Sequence, residues 1–429
     1  MNLFKSFLLL LLIQGYLMSA TVKQIKINDI EIPVVFEQDK NLPILNLQLV
    51  FKNSGYMQDK NKSGLASLSA KLLNEGTKEL GSTKFAQKLE DSAISLHSSV
   101  GFETFVIELS SIKDVNDKAL SLLKELLNDP NYDKKVLDKI KTIKTGSLKR
   151  KENDFDYIAS KNLKEILFEG TPLQNPSSGS IESIEEIKLA DIKKFLDKAI
   201  DLNNLIVVVG GDIEFDELSL KLKKLLKDIK AKNTNKFKTV KTNEKAQVKT
   251  LKKETQQAYI YFGSPFETTA KNEDNYKAKV ASFILGGSGF GSRLMEEIRV
   301  KRGLAYSAYG YVSINKSHNY FTGYLQTKLE SADEAKELVS QIVNEFVNKG
   351  VTQEELDAAK NFILGSEPLR TETLSQRLHR AFTLFYRGLE FDHSQKELEK
   401  IQSLNLDDLN EYIKSHDEIK KLSFSIVRK

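Results

Sequence analysis

The same order of predicted elements occurs twice along the chain. In the first half, residues 46–51 alternate apolar and polar side chains like a strand, and a helical segment with apolar residues at helical spacing follows at 65–73. In the second half, residues 257–262 and 277–285 repeat this pair. Each half continues with two neighbouring predicted strands before it turns helical, and these strands are residues 94–100, 104–109, 305–312 and 320–325. We therefore predict an α+β fold of two similar domains, each a largely antiparallel sheet with helices packed on one face.

A stretch rich in Lys, Asn and Thr separates the two halves. The predicted strand at 204–209 closes the first half, and a similar strand at 422–427 closes the second. The stretch between the halves is typical of a solvated linker. The predicted limits are a signal peptide at 1–20, an N-terminal domain at 21–233, a linker at 234–256 and a C-terminal domain at 257–429.

The first 20 residues have the layout of a secretory signal. Lys5 precedes an apolar run at 7–13, and the small residues Ser19 and Ala20 end the segment. The apolar run is too short for a membrane-spanning helix of about 20 residues. We expect export and cleavage after Ala20, and a bacterial periplasm suits an exported chain without cysteine. A single membrane anchor is the alternative.

Composition limits the chemistry that the chain can carry. The net charge is +5, and the basic residues are scattered instead of gathered in a stripe, so we predict no nucleic-acid partner. The absence of cysteine excludes thiolate metal sites and cysteine nucleophiles, so a metal would need histidines and carboxylates. No two of the five histidines lie three or four residues apart, so a local zinc-binding pair is missing. We interpret His97 and His379 as structural or surface residues.

A glycine-rich stretch follows the predicted helix at 277–285. It contains Gly286, Gly287, Gly289 and Gly291. A phosphate-binding loop would follow a buried strand and end in Gly-Lys-Ser/Thr, and neither condition is met here. We interpret the stretch as a flexible turn that meets an extended substrate.

Arg299 and Tyr306 flank a predicted corner between a helix and a strand. The helical segment at 295–301 is broken by Gly303, and an alternating strand follows. A guanidinium and a phenol at such a corner can both donate to a carbonyl oxygen that gains negative charge during amide hydrolysis. The alternative is an Arg at a helix end and a Tyr in a strand core.

The segment 292–307, SRLMEEIRVKRGLAYS, resembles the C-terminal-domain motif of the insulinase/pitrilysin-like metallopeptidases. This family includes the mitochondrial processing peptidases and their bacterial relatives. Arg299 and Tyr306 match its Arg and Tyr, and the dipeptide Pro172-Leu173 and the triplet at 210–212 are further landmarks. The resemblance covers most of the chain and implies the two-domain clam-shell half of that family.

The zinc motif of the family is degenerate in this chain. Segment 64–77 aligns with the inverted motif His-x-x-Glu-His, but Ser67 and Lys71 stand at the two histidine positions and Ala70 at the catalytic glutamate. The resemblance also implies a glutamate ligand on a later helix, yet residues 134–151 contain no Glu and only Asp138 as an acid. Because serine, alanine and an ammonium group cannot hold zinc and activate water, we expect no metal in this chain.

The resemblance implies a division of labour between two subunits. Family members of this size work in pairs, and in some pairs one subunit keeps the zinc motif while the other keeps the Arg and the Tyr. This chain is then a zinc-lacking subunit of a periplasmic heteromeric zinc peptidase and is not active alone. Arg299 and Tyr306 would bind and polarise the scissile peptide of a substrate, which is a peptide or an unfolded polypeptide. The expected partner is a homologous subunit that carries the zinc motif and the zinc.

A second interpretation stays open. The chain is then a structural or peptide-binding member of the family with no role in proteolysis, comparable to the core proteins of respiratory cytochrome complexes. It predicts that replacement of Arg299 by Ala changes nothing. Under both interpretations we expect no integral membrane segment after removal of the signal peptide.

Overall fold

The structure is a computed structural model that describes residues 20–232 and 237–429. The first of its two sheets has six strands in the order β1-β2-β6-β3-β5-β4. These strands are β1 (Thr21–Ile27), β2 (Ile30–Gln38), β3 (Ile44–Lys52), β4 (Ser95–Val100), β5 (Thr104–Ile112) and β6 (Leu205–Gly211). Neighbouring strands are antiparallel except β2 and β6, which are parallel.

The second sheet has five strands in the order β7-β11-β8-β10-β9. They are β7 (Val248–Lys252), β8 (Gln257–Pro265), β9 (Ala305–Ile314), β10 (Asn319–Lys328) and β11 (Ser423–Arg428). Only β7 and β11 are parallel within this sheet. The predicted α+β class with two largely antiparallel sheets is confirmed.

Helices follow the strands in each half of the chain. In the first half they are α1 (Leu65–Leu73), α2 (Gly81–Glu90), α3 (Asn116–Asn128), α4 (Lys134–Lys151), α5 (Phe155–Leu167), α6 (Ile181–Glu186), α7 (Leu189–Ala199) and α8 (Phe215–Leu226). In the second half they are α9 (Asn275–Ser282), α10 (Arg293–Met295), α11 (Ala332–Lys349), α12 (Gln353–Gly365), α13 (Leu374–Arg387), α14 (His393–Ser403) and α15 (Leu406–Ser415). Two π-helical turns, Phe283–Gly287 and Glu296–Val300, extend α9 and α10.

Alternation of side chains places the core of the second sheet on one face. On β8, Ala258, Ile260 and Phe262 are fully buried, and on β10 the same holds for Phe321 and Leu325. Long helices of the second half bury their apolar stripes against this face, and α11 alone contributes eight buried residues. Apolar burial of this kind supplies most of the stability of the sheet.

Each sheet also carries one helix on its opposite face, contributed by the other half of the chain. On the second sheet this is α5, whose Phe155 ring lies 5.5 Å from the ring of Tyr259. On the first sheet it is α13, whose Leu374 and Leu378 lie over Gly210 of β6. The prediction of helices on one face is therefore incomplete. Sequence patterns reveal an apolar stripe on a helix, but they do not reveal which sheet covers it.

The compact units of the molecule are not continuous along the chain. Of the described residues, one unit consists of 20–143, 182–232 and 368–386, and the other consists of 144–181, 237–367 and 387–429. Residues 144–181 and 368–386 thus belong to the units opposite to those that the predicted domain limits assign. The exchange follows from α5 and α13, each of which packs on the sheet of the other half. The predicted linker also contains β7, which pairs with β11.

The predicted signal peptide lies almost wholly outside the described residues. In the described part of the chain, no helix is both long enough and apolar enough to cross a membrane.

Candidate functional site

Arg299 lies at the end of the helical segment that leads into β9. The Oγ of Ser292 accepts the N–H of Met295 at 3.4 Å and caps the start of α10. The segment continues as the π-helical turn Glu296–Val300. It ends at Gly303, whose φ of 62° is left-handed and whose N–H donates to the Arg299 carbonyl at 3.0 Å. The predicted corner between helix and strand is therefore present.

Tyr306 lies at a β-bulge near the start of β9. Between the paired positions Ala305 and Ala308, β9 has two residues, Tyr306 and Ser307, where β10 has only Gln326. A bulge of this kind re-aims a side chain out of the regular alternation. Tyr306 is 82% exposed, so it is not the core tyrosine that the alternative interpretation of this pair assumed.

The side chains of Arg299 and Tyr306 are in contact. The guanidinium carbon of Arg299 lies 4.5 Å from the centroid of the Tyr306 ring and 4.6 Å from that of Phe290. Two rings therefore flank the guanidinium, an arrangement in which each cation–π contact contributes about 0.5–1 kcal/mol at an exposed site. The N–H groups lie in the guanidinium plane, so their donor directions stay open at its edge.

The charge of Arg299 has no carboxylate partner among the described residues. The neighbouring cations Lys301 and Arg302 do have such a partner. Both donate to the carboxylate of Glu297, at 2.7 Å and 2.6 Å respectively. These two cations hold the pKa of Glu297 below its ordinary value. Arg299 is thus a fixed donor that is free to bind an external acceptor, such as a peptide carbonyl or a carboxylate.

Phe290 was missed by the sequence analysis. It lies in the glycine-rich stretch and is 70% exposed, although a phenylalanine has no polar group that favours water. Gly289 and Gly291 on either side have left-handed φ values of 68° and 92°. The signal in the sequence was a single large apolar residue among glycines, next to the Arg and Tyr motif.

The four predicted loop glycines fall into two classes. Gly286 and Gly287 belong to the π-helical turn, and Gly286 is packed so closely that a Cβ there would lie 2.5 Å from the N of Gly310. Gly289 and Gly291 form the turn proper, and a Cβ would meet no tight contact at either position. A packing reason accounts for Gly286, while Gly289 and Gly291 shape the turn that carries Phe290.

The degenerate zinc-motif positions lie on α1. Ser67 is half-buried, Ala70 is buried and Lys71 is exposed. The carbonyl oxygen of Ala70 accepts from the Ser98 hydroxyl at 2.8 Å, and Asn74 exchanges further hydrogen bonds with Ser98. A hydroxyl, a methyl and an ammonium group supply no pair of zinc ligands, so this helix is a packing element tied to β4.

No other part of the described chain replaces that site. The acid that stands on α4, Asp138, forms an ion pair with Lys134 at 2.7 Å. The exposed His97 lies 3.4 Å from Glu108, and His379 is exposed on α13. Within residues 20–232 and 237–429, no three histidines or carboxylates are grouped so that they could hold a metal ion.

Two family descriptions match consecutive parts of the chain. "Insulinase (Peptidase family M16)" matches residues 33–180, and "Peptidase M16 inactive domain" matches residues 186–363. A Helicobacter pylori protein named "Non-peptidase homolog YmxG" is 45% identical over 426 residues, which cover 99% of this chain and 98% of that protein. An uncharacterized zinc protease YmxG of Bacillus subtilis is 26% identical over 264 residues, covering 61% and 63%.

Solved structures share the fold. A peptidase M16 inactive domain from Pseudomonas fluorescens has a TM-score of 0.86 at 24% identity, covering 95% of this chain and 98% of that one. A protease from Helicobacter pylori has a TM-score of 0.84 at 17% identity, covering 96% and 100%. At this level of identity the likeness concerns the fold alone.

Proposed function

Because the chain belongs to the insulinase family, peptidase family M16, and lacks its zinc-binding residues, we propose that it is the zinc-lacking subunit of a heteromeric zinc peptidase. Its part in the reaction is to bind and polarise the scissile peptide with Arg299 and Tyr306, at a zinc site that a homologous partner carries. The observation that carries the proposal is the Arg299 guanidinium, which is flanked by Phe290 and Tyr306 and free of any described carboxylate.

The chain's own residues supply electrostatic stabilisation. Amide hydrolysis places negative charge on the carbonyl oxygen, and donors already fixed in position lower the barrier without reorganising. Arg299 stays protonated at any physiological pH, and its flanking rings restrict the plane of its N–H donors. The exposed hydroxyl of Tyr306 supplies a second donor beside it. Zinc in the partner would supply the activated water.

The motif positions explain why a partner is needed. With Ser67, Ala70 and Lys71 in place of the zinc motif, the chain has no local means to bind zinc or to activate water. The name "Non-peptidase homolog" of the Helicobacter pylori relative agrees with a chain that does not hydrolyse peptides alone. We place the protein in the periplasm, since its first 20 residues have the layout of a signal peptide and it has no cysteine.

The same relative also supports a second candidate function, a structural or peptide-binding role without proteolysis. The two candidates differ in one respect that can be measured. In the first, removal of the Arg299 guanidinium abolishes most of the activity of a complex. In the second, no complex with peptidase activity exists.

The first experiment isolates the tagged protein from its native cell under gentle conditions and identifies what co-purifies. We expect a stoichiometric homologue that carries His-x-x-Glu-His. In the reconstituted pair, Arg299→Ala should lower kcat/KM about 10²–10³-fold, the usual loss on removing one such donor. Arg302→Ala is the matched control, because Arg302 lies three residues away and pairs with Glu297. We expect it to change kcat/KM less than twofold.

Three outcomes oppose the proposal. Recovery of the chain alone, or only with proteins that are not peptidases, favours the structural role. Equal activity of Arg299→Ala and Arg302→Ala removes the catalytic part from Arg299. Tight binding of one zinc by the pure chain, together with peptide cleavage, contradicts the division of labour itself.

A further inference from the structure

One face of the second sheet is lined with tyrosines. Six of the chain's 14 tyrosines occupy alternate positions of three adjacent strands on the face opposite the core. They are Tyr259 and Tyr261 on β8, Tyr309 and Tyr311 on β9, and Tyr320 and Tyr324 on β10. Five of these side chains are half-buried and Tyr311 is exposed, and aromatic rings that stay open to solvent across several strands are typical of a binding surface.

Packing accounts for part of this face. Phe155 lies against Tyr259, and the Phe168 ring lies 5.1 Å from that of Tyr320. Both phenylalanines belong to α5 or follow it directly, so these two tyrosines are parts of the interface between α5 and the sheet. The other four tyrosines reach from the rim of this interface, where Tyr261 meets Asp156 of α5, to β9, the edge strand, where Tyr311 is 51% exposed.

Three of these four form a continuous row across the sheet. Tyr324 pairs directly with Tyr261 on one side and with Tyr309 on the other. The ring centroids are 5.4 Å and 5.6 Å apart, with interplanar angles of 18° and 34°. The rings are half-buried, so part of each ring remains accessible to solvent. We call Tyr261, Tyr324 and Tyr309 the tyrosine row.

A carboxylate lies at the inner end of the row. Asp156 of α5 accepts the Tyr261 hydroxyl at 3.4 Å and the Gln326 amide at 2.6 Å. Burial, then the charge of Asp156, raises the pKa of Tyr261, and burial, Tyr309 and Asp156 raise that of Tyr324. The phenols therefore stay neutral. The ion pairs of the described residues leave Asp156 without a cationic partner.

The row continues towards the Arg299 site on the same sheet. Gln326, which donates to Asp156, is the residue opposite the bulge at Tyr306. A segment bound at Arg299 and Tyr306 could thus continue over Tyr309 and Tyr324. A cation already lies against an aromatic ring of this sheet, since Arg299 contacts Tyr306 of β9.

We propose that the tyrosine row and Asp156 form a subsite for a cationic side chain, arginine or lysine, of the bound polypeptide. Ring faces carry partial negative charge and attract a cation, and a carboxylate in reach of the same group adds a direct ion pair. A neutral apolar side chain would gain only the ring contact, and an acidic one would be repelled by Asp156. The subsite rests on the proposed function only in taking the ligand to be a polypeptide.

The test uses the full chain without a partner. The probe is a decapeptide of Gly, Ser and Thr with one central Arg, and the comparison peptides carry norleucine or Glu at that position. The chain is labelled with 3-fluorotyrosine, and its fluorine signals are assigned through single Tyr→Phe variants. We expect the Arg peptide to shift the signals of the tyrosine row and to bind about five- to tenfold more tightly than the norleucine peptide.

Variants separate the cationic subsite from a general aromatic surface. Asp156→Asn and Tyr324→Leu should each remove most of the preference for Arg, whereas Tyr324→Phe should keep it because the ring remains. Glu152→Gln is the matched control, since it removes an exposed carboxylate just before α5 that has no hydrogen bond or ion pair to the row among the described residues. Circular dichroism and the unshifted fluorine signals verify that each variant is folded.

The proposal is overturned if the norleucine peptide binds as tightly as the Arg peptide, if Asp156→Asn keeps the preference, or if the row does not respond. Its failure is distinct from that of the proposed function. Binding by the isolated chain needs no zinc subunit, so an Arg preference can be found even when no peptidase partner exists. Conversely, a loss of peptidase activity in the Arg299→Ala complex would support the proposed function even if the tyrosine row bound no peptide.

Discussion

Arg377 of α13 and Glu37 of β2 form an ion pair between residues 340 positions apart, with Nε 2.6 Å from Oε1. The Nη2 of Arg377 also donates to Asp39 at 2.6 Å. Glu37 is only 2% exposed and Asp39 is 8% exposed. Around this cluster, Leu374 and Leu378 lie so close to Gly210 that a Cβ there would be 2.9–3.0 Å from them. The second half of the chain therefore supplies a helix that covers one face of the first sheet.

Removal of the Arg377 charge should destabilise the compact unit that contains the first sheet. Arg377→Met leaves two buried carboxylates without their cation, and breaking such a pair costs about 3–5 kcal/mol when fully buried. Because Arg377 is partly exposed, we expect a loss of about 2–4 kcal/mol in the free energy of unfolding, measured with urea. Arg370→Met is the control, because Arg370 is exposed and has no ion pair among the described residues. Equal losses in both variants would contradict a structural role of the cluster.

The burial of Glu37 should be detectable in how the free energy of unfolding changes with pH. Burial raises the pKa of Glu37 above its ordinary value of 4.5, and Arg377 only partly opposes this effect. The folded protein thus binds a proton more readily than the unfolded chain. The associated stability is present below pH 4.5 and is lost as the pH rises through the raised pKa. Glu37→Gln should remove this loss. The unfolding free energy of the variant, relative to that of wild type, should therefore increase from pH 4.5 upward. A constant difference would contradict the raised pKa.

The stability that Glu355 contributes should depend on pH in the opposite direction. Burial opposes its ionisation, but Arg293 donates to both of its carboxylate oxygens, at 2.5 Å and 2.6 Å, and the Thr352 N–H adds a third bond. The pKa of Glu355 is therefore lowered from 4.5. Its stabilisation is present above pH 4.5 and is lost as the pH falls through the lowered pKa. In Glu355→Gln, the free energy of unfolding, measured with urea, should fall less steeply than in wild type as the pH drops below 4.5. An equal fall in wild type and variant would mean that the ion pair of Glu355 and Arg293 does not contribute.

The sequence predicts the elements that have their own periodic pattern. Helix α1 begins and ends at the predicted residues, and the hairpin of β9 and β10 was expected within three residues at each end. Strand β7 was assigned to the linker because four of its five residues are exposed and it has no alternation. The partners of α5 and α13 were also out of reach, since an apolar stripe on a helix does not say which sheet will cover it.

The same distinction holds for the residues of the candidate site. Arg299 and Tyr306 follow from a motif, because the motif fixes residue types at a fixed spacing. Phe290, Asp156 and the tyrosine row depend on proximity between distant residues. Asp156 meets Gln326 across 170 positions of sequence, and no local pattern encodes that contact. The sequence therefore indicates Arg299 and Tyr306, whereas the groups around them are visible only in the structure.

The rings of Phe290 and Tyr306 should hold the Arg299 guanidinium in place. If Phe290 and Tyr306 both lie on its guanidinium, ring currents should move the Arg299 Nε–H proton signal upfield in NMR spectra, and Arg299→Lys should remove that signal. Phe290→Leu keeps an apolar side chain but takes away one ring, so the signal should move downfield and exchange faster with water. Phe290→Tyr should retain the wild-type signal, because the ring and its face remain. Tyr311→Leu is the control, since Tyr311 is an exposed ring on β9, the strand of Tyr306, and is not one of the two rings beside Arg299. An Arg299 signal that is the same in Phe290→Leu and in wild type would mean that Phe290 does not position the guanidinium.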